Sequence, residues 1–291
     1  MINKISTVVD TKTYGNASLN INEYSKLQGS KDIHSAKFLD AAQKTGMKLR
    51  YVSAHLENSN VNMEPGLLHY MQGNLDLATK RADGSSGIGG FFANKVKSAL
   101  SGESSSNTVV SGTGVVVLEP TFGHILAIEM NNEEYIADKG IYSCSIGEVN
   151  VDVAMQKNIS SALFGGEGLF QTLVKGTGIA VFNSPVHLDE LVKVELNNDT
   201  LKVDGSFAIL RSASLEFTAE KSAKSFYGTM KSGEGILQTF RGTGTVWLAP
   251  TESFYAGLGD ANHVTNLAEN KGSSGDKDAL GKLGKAAKMF T

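Results

Sequence analysis

A three-residue motif recurs at nearly equal spacing along this chain of 291 residues. Gly112-Thr113-Gly114 returns as Gly176-Thr177-Gly178 and again as Gly242-Thr243-Gly244, so that successive copies lie 64 and 66 residues apart, and each copy leads into an apolar run. A unit of about 65 residues is too small to cover both faces of its own sheet, so neighbouring units are expected to share a core. The spacing therefore predicts one assembly of three similar units.

The segments around the motif repeat as well. Residues 128–132 and Asp138 match residues 194–198 and Asp204 at a constant offset of 66 residues. A fainter copy precedes both, and its members are Leu56, Asn58, Glu64 and Gly66. The Asn-Asn pairs at 131–132 and 197–198 stand between alternating strand-like runs. Because asparagine tolerates left-handed backbone angles, we expect hairpin turns at these pairs.

Glycine and proline usage favours β-structure. The chain contains 32 glycines and only 4 prolines, so it turns often and mostly without proline. Between the glycines lie short runs of β-branched and alternating apolar residues, which are typical of strands in a sandwich or barrel. Examples of these runs are residues 115–118, 191–196, 207–210 and 215–217. We therefore predict an all-β fold.

Changes in composition divide the chain into three parts. Residues 1–46 form an N-terminal extension with one short amphipathic helix over 31–45, capped by Ser30 and ended by Gly46. Residues 47–251 form the pseudo-threefold β domain, with repeats over about 47–118, 119–182 and 183–251. A Gly/Ser-rich insertion at 80–108 interrupts the first repeat, as a mobile loop or as a lid over a ligand site. Residues 252–291 are a flexible Gly/Lys-rich tail.

The motifs resemble the altered-inheritance-of-mitochondria family over about residues 47–251. The similarity rests on Met63-Glu64-Pro65-Gly66, on Tyr70-Met71-Gln72-Gly73, on the Gly-Glu-Gly-Leu-Phe stretch from Gly166, on the Gly-Thr-Gly strands and on residues 191–196. The resemblance implies three tandem short double-stranded β-helix (jelly-roll-like) repeats, grouped with the tryptophan RNA-binding attenuation protein fold. It implies no established catalytic residues, and it links fungal relatives to organisation of the mitochondrial inner membrane. The first 49 residues contain no arginine, so a mitochondrial transit peptide is not expected.

Residue types that carry chemistry are scattered. The six histidines show neither His-x-His nor His-Glu-x-x-His spacing, and we expect no metal and no cofactor. The histidines His124 and His187 follow their motifs at similar distances and are interpreted as turn or strand-end residues. Cys144 has no nearby base in the sequence and is expected to be a buried bystander. Glu167 and Glu234, equivalent by repeat, are expected to be structural, and Trp247 is expected to be a core or interface anchor.

Charge and composition narrow the functional classes. The net charge of −3 provides no excess of positive charge for binding nucleic acid phosphates. No apolar run is long enough to span a membrane. The single cysteine suits a reducing, cytoplasmic location. We expect a non-enzymatic β-scaffold that binds an unknown protein partner or forms a homo-oligomer. The alternative is a small-ligand-binding or cupin-like enzyme with a pocket between repeats, and RNA binding ranks below both. Basic residues in the tail could give peripheral membrane contact.

Overall fold

The computed structural model describes residues 5–80, 86–87, 107–156, 169–221 and 236–258, which form a 13-stranded antiparallel sheet and two short α-helices. The strands are β1 (Ser6–Tyr14), β2 (Ala17–Tyr24), β3 (Arg50–Met63), β4 (Leu68–Lys80), β5 (Ser86–Gly87), β6 (Asn107–Leu118), β7 (His124–Ala137), β8 (Tyr142–Gln156), β9 (Leu169–Ser184), β10 (Val192–Asp204), β11 (Ala208–Ser212), β12 (Glu216–Lys221) and β13 (Ile236–Leu248). The helices are α1 (Ile33–Lys44) and α2 (Glu252–Leu258), and a 3-10 turn covers Leu188–Glu190. The expectation of a predominantly β fold is confirmed.

The long strands form three units with the same internal order. In unit 1 (β3 to β6), β6 lies between β3 and β4. In unit 2 (β7 to β9), β9 lies between β7 and β8. In unit 3 (β10 to β13), β13 lies between β10 on one side and β11 and β12 on the other. Each Gly-Thr-Gly motif therefore occupies the middle of the central strand of its unit.

The prediction of hairpin turns at the Asn-Asn pairs is wrong. Residues 131–132 lie inside β7 and residues 197–198 inside β10, where each pair forms a β-bulge opposite the Gly-Thr-Gly motif. The second asparagine of each pair, and Asn58 in unit 1, adopts a positive φ of 50° to 55°. Asparagine does tolerate this conformation, but here it forms a bulge that bends a continuous strand.

A threonine hydroxyl holds each bulge. The backbone N–H of Asn58 donates to Thr113 Oγ1 at 2.9 Å, and Asn132 and Asn198 donate in the same way to Thr177 and Thr243, both at 3.0 Å. A bulge leaves an extra residue outside the regular ladder, so its N–H needs another acceptor. The central threonine of the repeated motif supplies that acceptor, which explains why a threonine stands between the two glycines in every unit.

Replacing Thr177 by valine is expected to lower the free energy of unfolding by about 1 kcal/mol, because the Asn132 N–H loses its acceptor while the side-chain shape is kept. Urea denaturation of the purified variant measures the change. Thr200→Val, at an exposed position of β10, is the matched control and is expected to change the unfolding free energy far less. Equal effects at the two positions would contradict the role assigned to the motif threonine.

The N-terminal extension contains the predicted helix and a hairpin that the sequence did not reveal. Helix α1 is confirmed, but its cap is Asp32 and not Ser30, since Asp32 Oδ1 accepts from the Ser35 backbone N–H at 2.9 Å. Ahead of the helix, β1 and β2 form a hairpin, and β2 pairs with the first half of β3 from Ala17 to Glu23. The hairpin therefore covers the strand edge at the start of unit 1.

The core consists of three clusters that differ in how many units they join. The first combines unit 1 with β2 and with unit 2 residues such as Cys144 and Ile179. The second combines unit 2 with Leu210 and Trp247 of unit 3. The third is formed by unit 3 residues alone, namely Leu196, Val203, Ala208, Leu215, Phe217, Ala219, Phe240, Val246 and Leu248. Clusters one and two thus straddle neighbouring units, and cluster three does not.

Several expectations concern residues beyond the described part of the chain. Most of the insertion at 80–108, both Glu167 and Glu234, and the tail from residue 259 onward lie outside the described residues. The tail expected from residue 252 begins with helix α2. The arrangement of each unit as a double-stranded β-helix and the domain boundaries stay predictions. No helix among the described residues is both long enough and apolar enough to cross a bilayer.

Candidate functional site: the junctions between units

Neighbouring units are joined by short antiparallel pairings, which we call junctions. In the first junction, residues 61–63 at the end of β3 pair with residues 144–146 at the start of β8. In the second, residues 135–137 at the end of β7 pair with residues 210–212 of β11. The registers of β3 against β6 and of β7 against β9 show that these two segments are equivalent in the repeat. The first strand of unit 1 and the first strand of unit 2 therefore each pair forward with the second strand of the next unit.

The side chains of the first junction are buried. Val61, Met63 and Cys144 are each 0% exposed. On the other face of the strands, the Tyr142 hydroxyl donates to the Asn62 carbonyl oxygen at 3.1 Å and lies 2.9 Å from Ser145 Oγ. These hydrogen bonds tie unit 2 to unit 1, whereas the buried Asn62 Oδ1 has no hydrogen-bond partner within the described residues.

The thiol of Cys144 is buried in this junction, and burial raises its pKa to about 12. The expectation of an inert bystander is consistent with this environment, because the thiolate is the reactive form. At pH 8, iodoacetamide is therefore expected to leave the folded protein essentially unlabelled and to label it fully in urea, as intact mass spectrometry measures. Rapid labelling of the folded protein would show that the junction opens readily.

The second junction contains a buried arginine near a half-buried aspartate. Arg211 is 4% exposed, its Nη1 donates to the Leu215 carbonyl oxygen at 3.3 Å, and its guanidinium lies 4.8 Å from the centre of the Phe217 ring. Its Nε and Nη2 have no hydrogen-bond partner within the described residues. The carboxylate of Asp138, at the end of β7, accepts from Gln171 Nε2 at 2.6 Å and interacts electrostatically with Arg211.

Burial dominates the electrostatics of the second junction. It raises the pKa of Asp138 to about 6, an effect that the Gln171 hydrogen bond and the Arg211 charge offset only in part and that nearby Glu252 adds to. Burial likewise lowers the pKa of Arg211 to about 10. Arg211 and Asp138 together contribute little to net stability, since desolvation opposes their attraction.

The two histidines singled out in the sequence do meet. The rings of His124 and His187 lie 4.9 Å apart, and Arg50 Nη1 lies 3.4 Å from His124 Nδ1. Burial, followed by the charges of Arg50 and His187, lowers the pKa of His124, and Glu190 acts in the opposite direction. His124 begins β7 and His187 caps the 3-10 turn, as expected of strand-end and turn residues. This contact brings together the starts of the three units.

Metal ligation is not supported by the described residues. Within them, no group of three or more His, Cys, Asp or Glu side chains is arranged to hold a metal ion. A shallow cavity lies beside helix α1 and is lined by residues that include Tyr24, Leu39, Ala42 and Met47. It lies in the N-terminal extension and against the start of unit 1, whereas the sequence-based alternative expected a ligand pocket between units.

Trp247 occupies an interface position, as predicted. Its ring packs at 5.4 Å and 83° against Tyr135, which belongs to the neighbouring unit, and Lys193 Nζ lies 5.6 Å from the ring centre.

The sequence assigned no role to Arg211, Asp138 or Gln171. A weak signal existed for Asp138, because it is equivalent to Glu64 and Asp204 at the end of the first strand of each unit.

Two segments equivalent to junction strands lack a junction partner within the described residues. Leu68–Gln72 at the start of β4 correspond to the β8 and β11 segments, because all three pair with the end of the central strand in the same register. Residues 201–203 at the end of β10 correspond to residues 61–63 and 135–137. β4 pairs with β6 and β5, and β10 pairs with β13, so one edge of each segment is open.

The open segments expose side chains that are buried at the junctions. Met71 is 38% exposed, whereas its equivalents Ser145 and Arg211 are 1% and 4% exposed. Tyr70 is 55% exposed, whereas its equivalents Cys144 and Leu210 are 0% and 1% exposed. Lys202 is also exposed, and its equivalents Asn62 and Ile136 are buried. These segments, which we call the β4 edge (residues 68–72) and the β10 edge (residues 201–203), form the candidate interaction site.

The fold and the candidate site define a protein built from three tandem antiparallel β units joined edge to edge. The chain belongs to the mitochondrial biogenesis AIM24 family, whose model matches residues 42–251. The family resemblance read from the motifs is thereby confirmed.

Two streptococcal proteins illustrate the similarity. An uncharacterised protein of Streptococcus pyogenes serotype M6 is 30% identical over 207 residues, which cover 69% of this chain and 82% of that protein. The crystal structure of a Streptococcus pyogenes protein superposes with a TM-score of 0.52 at 26% identity, over 73% of this chain and 93% of that chain.

Proposed function

We propose that the protein is a non-enzymatic β-scaffold that binds a protein strand through its open edges. The observation that carries this proposal is the exposure of Tyr70 and Met71 at a strand edge whose equivalents are paired and buried in both junctions. An open edge presents a row of backbone donors and acceptors, which a further strand satisfies by adding to the sheet. The exposed aromatic and thioether side chains add contact area.

The arrangement of each unit as a double-stranded β-helix and a cytoplasmic location belong to this proposal. The location is suggested by the presence of a single cysteine, which permits no internal disulfide. The ligand-binding and RNA-binding alternatives stay predictions. The membrane contact suggested for the tail concerns residues outside the described ones.

Photo-cross-linking in cells tests the proposed function. A benzoylphenylalanine probe replaces Met71 on the β4 edge, and the same probe at Leu188, which is 40% exposed in the 3-10 turn, is the control. We expect cross-linked protein adducts from residue 71 several-fold above those from residue 188. Equal adduct yields at the two positions would count against an interaction site on this edge.

A further inference from the structure

We propose that the β10 edge of one copy of this chain pairs antiparallel with the β4 edge of a second copy and so forms a third junction. This inference rests on the proposed function and names the partner of the same site. Both halves of the contact are present in the chain, and each is equivalent to a half that already forms a junction twice. The partner is therefore identified by a contact that the molecule itself displays.

The repeat defines the register of the proposed contact. At the first junction Val61, Asn62 and Met63 lie opposite Ile146, Ser145 and Cys144. At the second, Tyr135, Ile136 and Ala137 lie opposite Ser212, Arg211 and Leu210. The equivalent pairs at the third junction are Leu201 with Gln72, Lys202 with Met71, and Val203 with Tyr70. The contact thus has one specific alignment that an experiment can address residue by residue.

The side chains at these positions suit pairing. Lys202 lies opposite Met71, so that the aliphatic part of the lysine can cover the thioether while its ammonium group remains in water. Val203 is 3% exposed and belongs to the third core cluster. Tyr70 opposite Val203 would extend that cluster across the contact, as Cys144 and Leu210 do for the first and second clusters. The third cluster would then straddle two units like the others.

Reciprocal pairing satisfies both edges of both copies. In a twofold-symmetric dimer the β10 edge of each copy pairs with the β4 edge of the other, which gives two identical junctions and a closed ring of six units. Closure of this kind removes exposed strand edges, which otherwise tend to pair nonspecifically. We therefore expect a defined dimer of twice 30.9 kDa and not an open polymer.

Disulfide trapping tests the register. Directly opposed residues of antiparallel strands have Cα atoms about 4.5–5.5 Å apart, which is within the range of a disulfide. We expect the full-length Met71→Cys, Lys202→Cys double variant to give a covalent dimer on a non-reducing gel after mild oxidation. The native Cys144 is fully buried and serves as a silent background.

An off-register pair provides the matched control. Met71→Cys combined with Thr200→Cys moves one thiol two residues along the same strand and keeps it on the same face, so we expect at least about tenfold less covalent dimer. An intrachain disulfide in the Lys202 pair would overturn the inference, because it would show that units 1 and 3 of one chain close on each other. Absence of any disulfide, or equal yields from both pairs, would also overturn it.

The outcome separates this inference from the proposed function. Adducts of residue 71 with a different protein, together with a failed disulfide dimer, would leave the scaffold function standing and remove the second copy as its partner. A covalent dimer combined with light scattering at twice 30.9 kDa for the unmodified chain would support both. The absence of both the cross-linked adducts and the covalent dimer would contradict both the proposed function and this inference.

Discussion

Replacing Gly176 with alanine is expected to prevent stable folding, whereas the same substitution at the equivalent Gly242 is expected to be tolerated. A Cβ at residue 176 would lie 2.0 Å from the Glu148 carbonyl oxygen, an overlap that only a shift of the β8 backbone could relieve. At residue 242 the nearest atom would be Leu215 Cδ2 at 3.8 Å. Both glycines have a positive φ, so strain of about 1–3 kcal/mol is common to the two variants.

The difference arises from the second strand of each unit. In unit 2, β8 runs without a break past Gly176, whereas in unit 3 residues 213–215 separate β11 from β12 opposite Gly242. Urea denaturation and the yield of folded protein measure the effect, and Gly242→Ala is the internal control for backbone strain. Similar losses of stability in the two variants would show that the close approach of the strands is not the reason for the glycine.

The Asp138→Asn variant is expected to gain stability relative to the wild type as the pH rises. The difference in unfolding free energy, variant minus wild type, should be larger at pH 7 than at pH 3.5. In the folded protein the pKa of Asp138 rises from 3.8 to about 6 because of burial, so the folded state binds more protons than the unfolded state within this window. The contribution of Asp138 to stability is therefore fully present below pH 3.8, falls as the pH rises through 6, and is constant above. A difference of about 2 kcal/mol between the two pH values is expected.

The asparagine variant isolates this effect because its Oδ1 can still accept the hydrogen bond from Gln171. Comparing the unfolding free energies of wild type and variant at each pH removes contributions from other titrating groups. Asp152→Asn, at an exposed position of β8, controls for the general loss of one negative charge. A wild-type-to-variant difference that is independent of pH would contradict the assignment of a raised pKa to the Asp138 carboxyl group.

The repeat could be read from the sequence, but its physical meaning could not. The Gly-Thr-Gly spacing correctly indicated three related β units, and Asn132 and Asn198 correctly indicated a left-handed backbone conformation. Hairpin turns and bulges both use such asparagines, and the choice between them depends on whether the strand on the other side continues, which is a tertiary contact. A clearer sequence signal of the repeat is given by three prolines that lie 65 residues apart, each shortly after the central strand of its unit. They are Pro120, Pro185 and Pro250.

The pairing of strands at the junctions could not be predicted from the sequence, for a different reason. Arg211, with its charge and its place in a short strand, looks like a surface residue until the end of β7 is known to pair with β11. The burial of Cys144 and the interface position of Trp247 were predicted correctly, because Cys144 has no basic residue close by in the sequence and Trp247 lies between Val246 and Leu248. By contrast, Tyr70 and Met71 are exposed because no junction strand lies beside β4 within the described residues. Their apolar character alone predicts burial.

The forward direction of the pairing has a consequence for how such proteins grow by gene duplication. Each added copy consumes the unpaired strand end of its predecessor and contributes an unpaired strand end of its own. A linear series of any length, whether two copies or twenty, thus terminates in one leftover donor segment and one leftover acceptor segment. Adding further copies leaves these two ends in place, and they are paired only if the series closes into a ring or if a segment from outside the series covers them.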